Sequence, residues 1–256
     1  MTTSAPDTAA EPLSNITTPL PVAASAAAGT GSKPRTVWPA AIKFLRDLAK
    51  HNDRTWFAPR KPLYENECLA ALNALVADAS AALRKAKVPL GAGPKGAAFR
   101  IYRDVRFSAD KSPYKTNLGA FLTRSDRQAP GGLYIHIQPK NSFMAAGFYQ
   151  LDKPLLQRWR EDMATQPKRF AAVLRALERS ASPLSEGHAA LKRMPRGFEA
   201  QAETALAPYF KAGSFMISET LTDNDVMSRA LIDRMAAIGK RAKPLLDFGW
   251  GLVDTP

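Results

Sequence analysis

The 256-residue chain is 45% hydrophobic and 23% charged, an ordinary globular balance, and no apolar run approaches the ~18 residues that a membrane span needs. Its formal net charge of +13 favours anionic partners, with phosphate- or carboxylate-bearing small molecules and nucleic acid as the two classes to weigh. The one cysteine, Cys68, excludes an internal disulfide and sits in an apolar helical stretch, which points to a reducing, cytoplasmic setting.

Residues 1–34 hold 23 Ala, Ser, Thr or Pro and no aromatic, too little apolar bulk to offset the entropy of ordering. Residues 1–36 are therefore expected to form a disordered tail ahead of a single domain over 37–256. Early acids and four prolines, Pro6, Pro12, Pro19 and Pro21, do not fit a secretory leader. Pro39 suits the first turn of a helix with Ile42, Leu45 and Leu48 on one face, closed by Asn52 and Asp53. A longer helix is predicted from about Pro62 through Leu72, Val76, Ala79 and Leu83. The period then changes to two: Leu133, Ile135 and Ile137 alternate with Tyr134, His136 and Gln138. Similar runs at 98–103, 117–124 and 142–149 predict, with 132–139, an antiparallel sheet of four strands, and 214–218 adds an edge strand. Helices follow from Pro154 and Pro167, and Thr222 with Asp225 three residues later caps the last one, carrying Val226, Ala230, Met235 and Ile238. Helices, then strands, then helices predict an α+β fold: a central antiparallel sheet of four to five strands flanked by N-terminal and C-terminal helices.

Positive charge is concentrated in the middle. Residues 84–115 carry nine basic side chains against Asp104 and Asp110, a net +7. Within this run, Arg100, Tyr102 and Asp104 fall on one side of an extended chain, and Phe99, Ile101, Arg103 and Val105 on the other. A guanidinium among apolar neighbours is costly without a counter-charge, so Arg103 needs a carboxylate or a bound anion.

Arg100, Arg103, Asp104, Arg106, Phe107, Asp110, Lys111 and Tyr114 meet the pattern R-x-x-R-D-x-R-F-x-x-x-[DN]-K-x-x-Y. By this pattern the chain resembles a bacterial family catalogued as domain of unknown function 2461. The resemblance runs from about Trp38 to Trp250 and takes in the Asn52–Phe57 and Arg193–Phe198 stretches. The family more often has glutamate where this chain has Thr55. The resemblance implies one intact domain and lends no activity, so the chemistry is argued from residue types.

Three readings fit the cluster. In the first, Asp104 and Asp110 neutralise Arg100, Arg103, Arg106 and Lys111 in an ion-pair web anchored by Tyr114. In the second, Arg100, Arg103 and Arg106, with Asp110, bind the phosphate or carboxylate of a small molecule, and Lys111, Tyr114, Asp104 and His136 are the candidate proton-moving groups. In the third, cations interleaved with Phe99, Tyr102, Phe107 and Tyr114 bind nucleic acid. The second is the preferred reading. No metal-ligand spacing is present among three histidines and one cysteine, and no cofactor motif is recognised. Gly91-x-Gly93-x-x-Gly96 follows a helix and precedes a strand, the reverse of a dinucleotide site.

Overall fold

In the computed structural model the described residues are 38–93, 96–127, 129–185 and 190–254. The expected tail, residues 1–36, lies outside them. Helix α1 (Trp38–Lys50) buries Ala41, Ile42, Phe44, Leu45 and Leu48 on one face. The Asp53 carboxylate then accepts the Trp56 amide at 2.8 Å and starts the single turn α2 (Arg54–Phe57). A 3-10 turn (Ala58–Arg60), the short α3 (Lys61–Leu63), a π-turn (Tyr64–Leu69) and α4 (Ala70–Lys85) run on without a break. The predicted long helix is thus present, but the Ala70 amide reaches back five residues to the Glu65 carbonyl. That widened turn sets both Tyr64 and Cys68 in the core.

Five strands follow: β1 (Leu90–Gly91), β2 (Leu118–Arg124), β3 (Gly132–Ile137), β4 (Ser142–Phe148) and β5 (Phe215–Leu221). They pair antiparallel in chain order, and helices flank the sheet. Between β4 and β5 come α5 (Lys153–Thr165), α6 (Pro167–Arg179) and the short α7 (Ala207–Lys211); α8 (Asp223–Met227) and α9 (Ala230–Asp254) end the chain. The α+β architecture is as expected. Two details differ. Residues 98–103 form no regular strand, contributing only isolated bridges at Ala98 and Tyr102. The last helix is split, because Ser228 turns extended and its hydroxyl accepts the Ala230 amide, capping a second helix.

Leu133, Ile135 and Ile137 are fully buried on the face that meets α4 and α9. Close approach there requires glycine: a Cβ on Gly239 would lie 2.4 Å from Leu83 and 3.7 Å from Leu133. Farther along α9, Trp159 stacks on Phe215 at 4.4 Å and meets Phe148, Phe170 and Phe248 edge-on. Tyr134 and His136 alternate to the opposite face of the sheet. The buried apolar side chains form one cluster reaching from α1 to α9.

Candidate functional site

The segment from Arg100 to Tyr114 folds back on itself. Its two arms, 101–103 and 113–115, are joined by the Tyr102–Tyr114 bridge, with the Arg103 amide donating to Pro113 O at 2.9 Å and the Lys115 amide to Ile101 O at 2.7 Å. From below, the Asn52 side chain grips the second arm: its Nδ2 donates to Tyr114 O at 2.9 Å, and its Oδ1 accepts the Tyr114 amide at 3.1 Å. Beside that contact the Tyr114 ring stacks on Phe57 with centroids 4.1 Å apart. Tyr102 and Tyr64 complete the aromatic floor against Phe57. The Asn52 contact joins the N-terminal helices to the loop. Asn52→Ala is expected to cost about 1–3 kcal/mol, since it removes two hydrogen bonds and leaves backbone groups without partners. Urea unfolding measures the loss.

Inside the loop most charges are matched. Arg103, with a side chain 13% exposed, pairs with Asp110 and donates a further bond to Ser112 O at 3.3 Å. This is the counter-charge its apolar surroundings demand. Arg106 binds both oxygens of Asp104, Nε to Oδ1 at 2.9 Å and Nη2 to Oδ2 at 2.7 Å. Lys111 Nζ donates to Val105 O at 3.0 Å. The hydrogen bonds from Arg106, followed by the charge of Arg100, hold the Asp104 carboxyl down at about 2. Asp110 is held at about 2 by Ser112 and then by Arg103. Both groups are carboxylates throughout the neutral range, and the stability they lend is present above the ordinary 3.8 and lost as pH falls from there through about 2. Burial pushes the Tyr114 hydroxyl the other way, above its ordinary value, so it keeps its proton.

Arg100 stands apart. Its Nε is buried and makes no hydrogen bond, and it enters none of the ion pairs among the described residues. Lys115 comes from the facing arm, and its ammonium is pulled below the ordinary lysine value by burial and then by the charge of Arg100. Its Nζ lies 5.7 Å from the centroid of the Phe99 ring. The charge of Arg100 is thus felt on both sides, by the Lys115 ammonium and by the Asp104 carboxylate.

Phe99 links this pair to the second sheet face, its ring 6.0 Å from that of Tyr134. A Cβ on Gly119 would fall 2.9 Å from the Tyr134 hydroxyl and 3.3 Å from Phe99, so both rings depend on the bare strand beneath them. His136 Nδ1 lies 3.0 Å from Tyr134 Oη and 3.3 Å from Asn117 Nδ2; its Nε2 is 2.9 Å from Gln138 Oε1. Asn117 Nδ2 is a donor, so Nδ1 accepts and Nε2 carries the proton given to Gln138, an assignment that follows from the network. The ring also stacks on Phe143 at 4.8 Å.

The family described as conserved hypothetical protein (DUF2461) matches this chain over residues 40–248. The chain belongs to that family. No curated protein and no solved structure matches it. In this DUF2461 chain the matched span holds the braced loop, the Asn52 contact beneath it and the Tyr134–His136 row. The Arg193–Phe198 stretch packs elsewhere, burying Phe198 against Phe210 at 5.4 Å. Thr55 is exposed. Of the residues singled out from sequence, the fold brings together Arg100, Arg103, Asp104, Arg106, Asp110, Lys111 and Tyr114, while His136 belongs to the row reached through Phe99. Sequence reasoning passed over Lys115, Asn117 and the role of Asn52. Lys115 was visible only as one more cation in the charged run, and nothing in residue order marked it as the neighbour of Arg100. Among the described residues no His, Cys, Asp and Glu group is arranged to hold a metal ion. No helix among them is long and apolar enough to cross a membrane.

Proposed function

We propose that this protein recognises the phosphate or carboxylate of a small molecule, and that Arg100 and Lys115 form the seat for it. The observation that carries this reading is the Arg100 Nε, buried without a hydrogen bond beside a second cation. A guanidinium offers a planar pair of donors to an oxyanion, and Lys115 adds a point charge. Arg103–Asp110 then acts as the frame that fixes the loop around the seat. The unit that carries the site is the domain over 37–256, in a reducing cytoplasmic setting that suits Cys68, whose thiol is buried and pushed up to about 12.

Recognition is favoured over catalysis by the state of the candidate proton carriers. Asp104 and Asp110 are held far below neutral, and Tyr114 is held above its ordinary value. Lys111 is engaged by a carbonyl, and both ring nitrogens of His136 lie within hydrogen-bond reach of neighbouring side chains. A general acid or base works best with its titration near the operating pH, and none of these carboxyl or hydroxyl groups is so placed.

The test uses proton linkage. The folded chain holds the Lys115 proton less tightly than the unfolded chain does, so the charged side chain costs stability at neutral pH. That cost fades as pH climbs towards the ordinary 10.5. An anion in the seat raises the pKa again. Pyrophosphate binding, followed by titration calorimetry in buffers of different ionisation heat, is expected to take up protons at alkaline pH and to weaken as pH rises. Binding that is pH-independent there, or that survives in Arg100→Gln, rejects the seat.

A further inference from the structure

Phe107 stands at the tip of the loop with 95% of its surface exposed. Leaving an aromatic ring in water is unfavourable, and a slack loop would let it fold back onto the surface. This loop is cross-braced instead. Arg106 is bound to Asp104 by both side-chain bonds and a backbone amide contact at 3.3 Å, and the Ser112 amide donates to Asp110 Oδ1 at 2.8 Å. Lys111 ties to Val105 O at 3.0 Å, across the base of the turn that carries Phe107. The Arg106 guanidinium lies 5.8 Å from the centroid of the Phe107 ring. Down the same arm, Tyr102 is 46% exposed and lies two residues from both Arg100 and Asp104. The edge therefore presents two accessible aromatic rings interleaved with Arg100, Arg106 and Lys111.

We infer that this edge docks single-stranded nucleic acid, with a base stacked on Phe107 and the sugar-phosphate chain led past Lys111 towards Arg100. The phosphate contact at Arg100 rests on the anion seat proposed above; the stacking contact at Phe107 does not. Charge complementarity selects the class of partner: the chain carries +13 overall and residues 84–115 carry +7. Single strands fit because their base faces are open to an aromatic platform, whereas in a duplex they are covered by neighbouring pairs. An anionic membrane is disfavoured, because even a myristoyl chain anchors only marginally and Phe107 is one ring. A protein partner needs roughly 800 Å² on each side, far more than one side chain at a loop tip provides.

The experiment measures fluorescence anisotropy of a short labelled oligothymidylate titrated with the full chain. Phe107→Ala is expected to weaken binding roughly tenfold, the size of one lost base stack, with the salt dependence unchanged, while Phe107→Trp binds as well as the native chain. Lys111→Gln is expected to lower the slope of affinity against salt by about one phosphate contact. Equal binding by native chain and Phe107→Ala overturns the inference, as does equal binding of a duplex of the same length. Attachment to phosphatidylserine vesicles that depends on Phe107, with no oligothymidylate binding, also overturns it in favour of a lipid surface. Unchanged melting of Phe107→Ala confirms that the variant is folded. Pyrophosphate binding separates the two proposals: its absence, with oligothymidylate binding still dependent on Phe107, removes the seat alone. Pyrophosphate bound through Arg100, with oligothymidylate indifferent to Phe107, removes the docking edge alone.

Discussion

If the proposed seat holds it, pyrophosphate at about one hundred times its dissociation constant is expected to stabilise the native chain by about 2.7 kcal/mol, as a ligand of the folded state alone would. For a domain of this size that corresponds to a rise in melting temperature of roughly 5–11 °C. Arg100→Gln is expected to abolish the rise. The substitution removes the charge and the buried Nε donor that the anion would meet, and no ion pair among the described residues is broken by it. Its effect on the ligand-free chain is therefore small, because removal of a like charge from beside Lys115 is offset by loss of the charge that helps hold Asp104 ionised. Arg106→Gln breaks an exposed ion pair that solvent screening leaves weak, and is expected to retain the pyrophosphate response. Thermal shift measurements on the three chains, with and without the anion, separate a seat at Arg100 from a general effect of positive charge. A response lost equally in Arg106→Gln would move the site to the loop tip.

Phe57→Ala is expected to be the most damaging single change near the site. The ring is 2% exposed and stacks on Tyr114, with Phe44, Tyr64 and Tyr102 at its edges. Truncating a buried phenylalanine typically costs about 3–5 kcal/mol through lost burial and the cavity left behind. In a domain of this size that lowers the melting temperature by roughly 6–20 °C. The cavity opens directly under the arm that carries Lys115, so the anion response is expected to fall with stability even though Phe57 touches no charge. Tyr114→Phe is the control. It keeps the stack and removes only a hydroxyl that burial already holds protonated, so both stability and response should remain close to native. Calorimetric melting of both variants measures the difference.

Much of the fold can be read from residue order, and the exceptions share a cause. Leu133, Ile135 and Ile137 announce β3 because every second residue is aliphatic and lies on the face packed against helices. Pro154 and Pro167 mark α5 and α6 because proline is tolerated in the first helical turn. Strand β1 is two residues long and has no period to detect. The π-turn at Tyr64–Leu69 leaves the apolar spacing helical while adding one residue to the turn. Thr222 and Asp225 form the capping box as expected, but the restart at Ser228 depends on a hydroxyl acting as a second cap. At the site, the sequence identifies the cations and the demand of Arg103 for a counter-charge. It does not say that Asp110, seven residues on, answers it, because that pairing exists only after the arms close. The Arg100–Lys115 approach is likewise made by tertiary packing, across a bridge fourteen residues of chain could close in many registers. Charge counting therefore finds the region, and only the fold shows which of the described cations pair with carboxylates and that the Arg100 Nε does not.

The most direct measurement is anomalous diffraction from crystals of the protein grown with tungstate, a heavy tetrahedral oxyanion that stands in for phosphate. The anion seat predicts a peak bridging Arg100 Nε and Lys115 Nζ, with Arg103 still on Asp110 and Arg106 still on Asp104. Density absent from that position, with tungstate bound elsewhere or Arg100 Nε still without a partner, would contradict it.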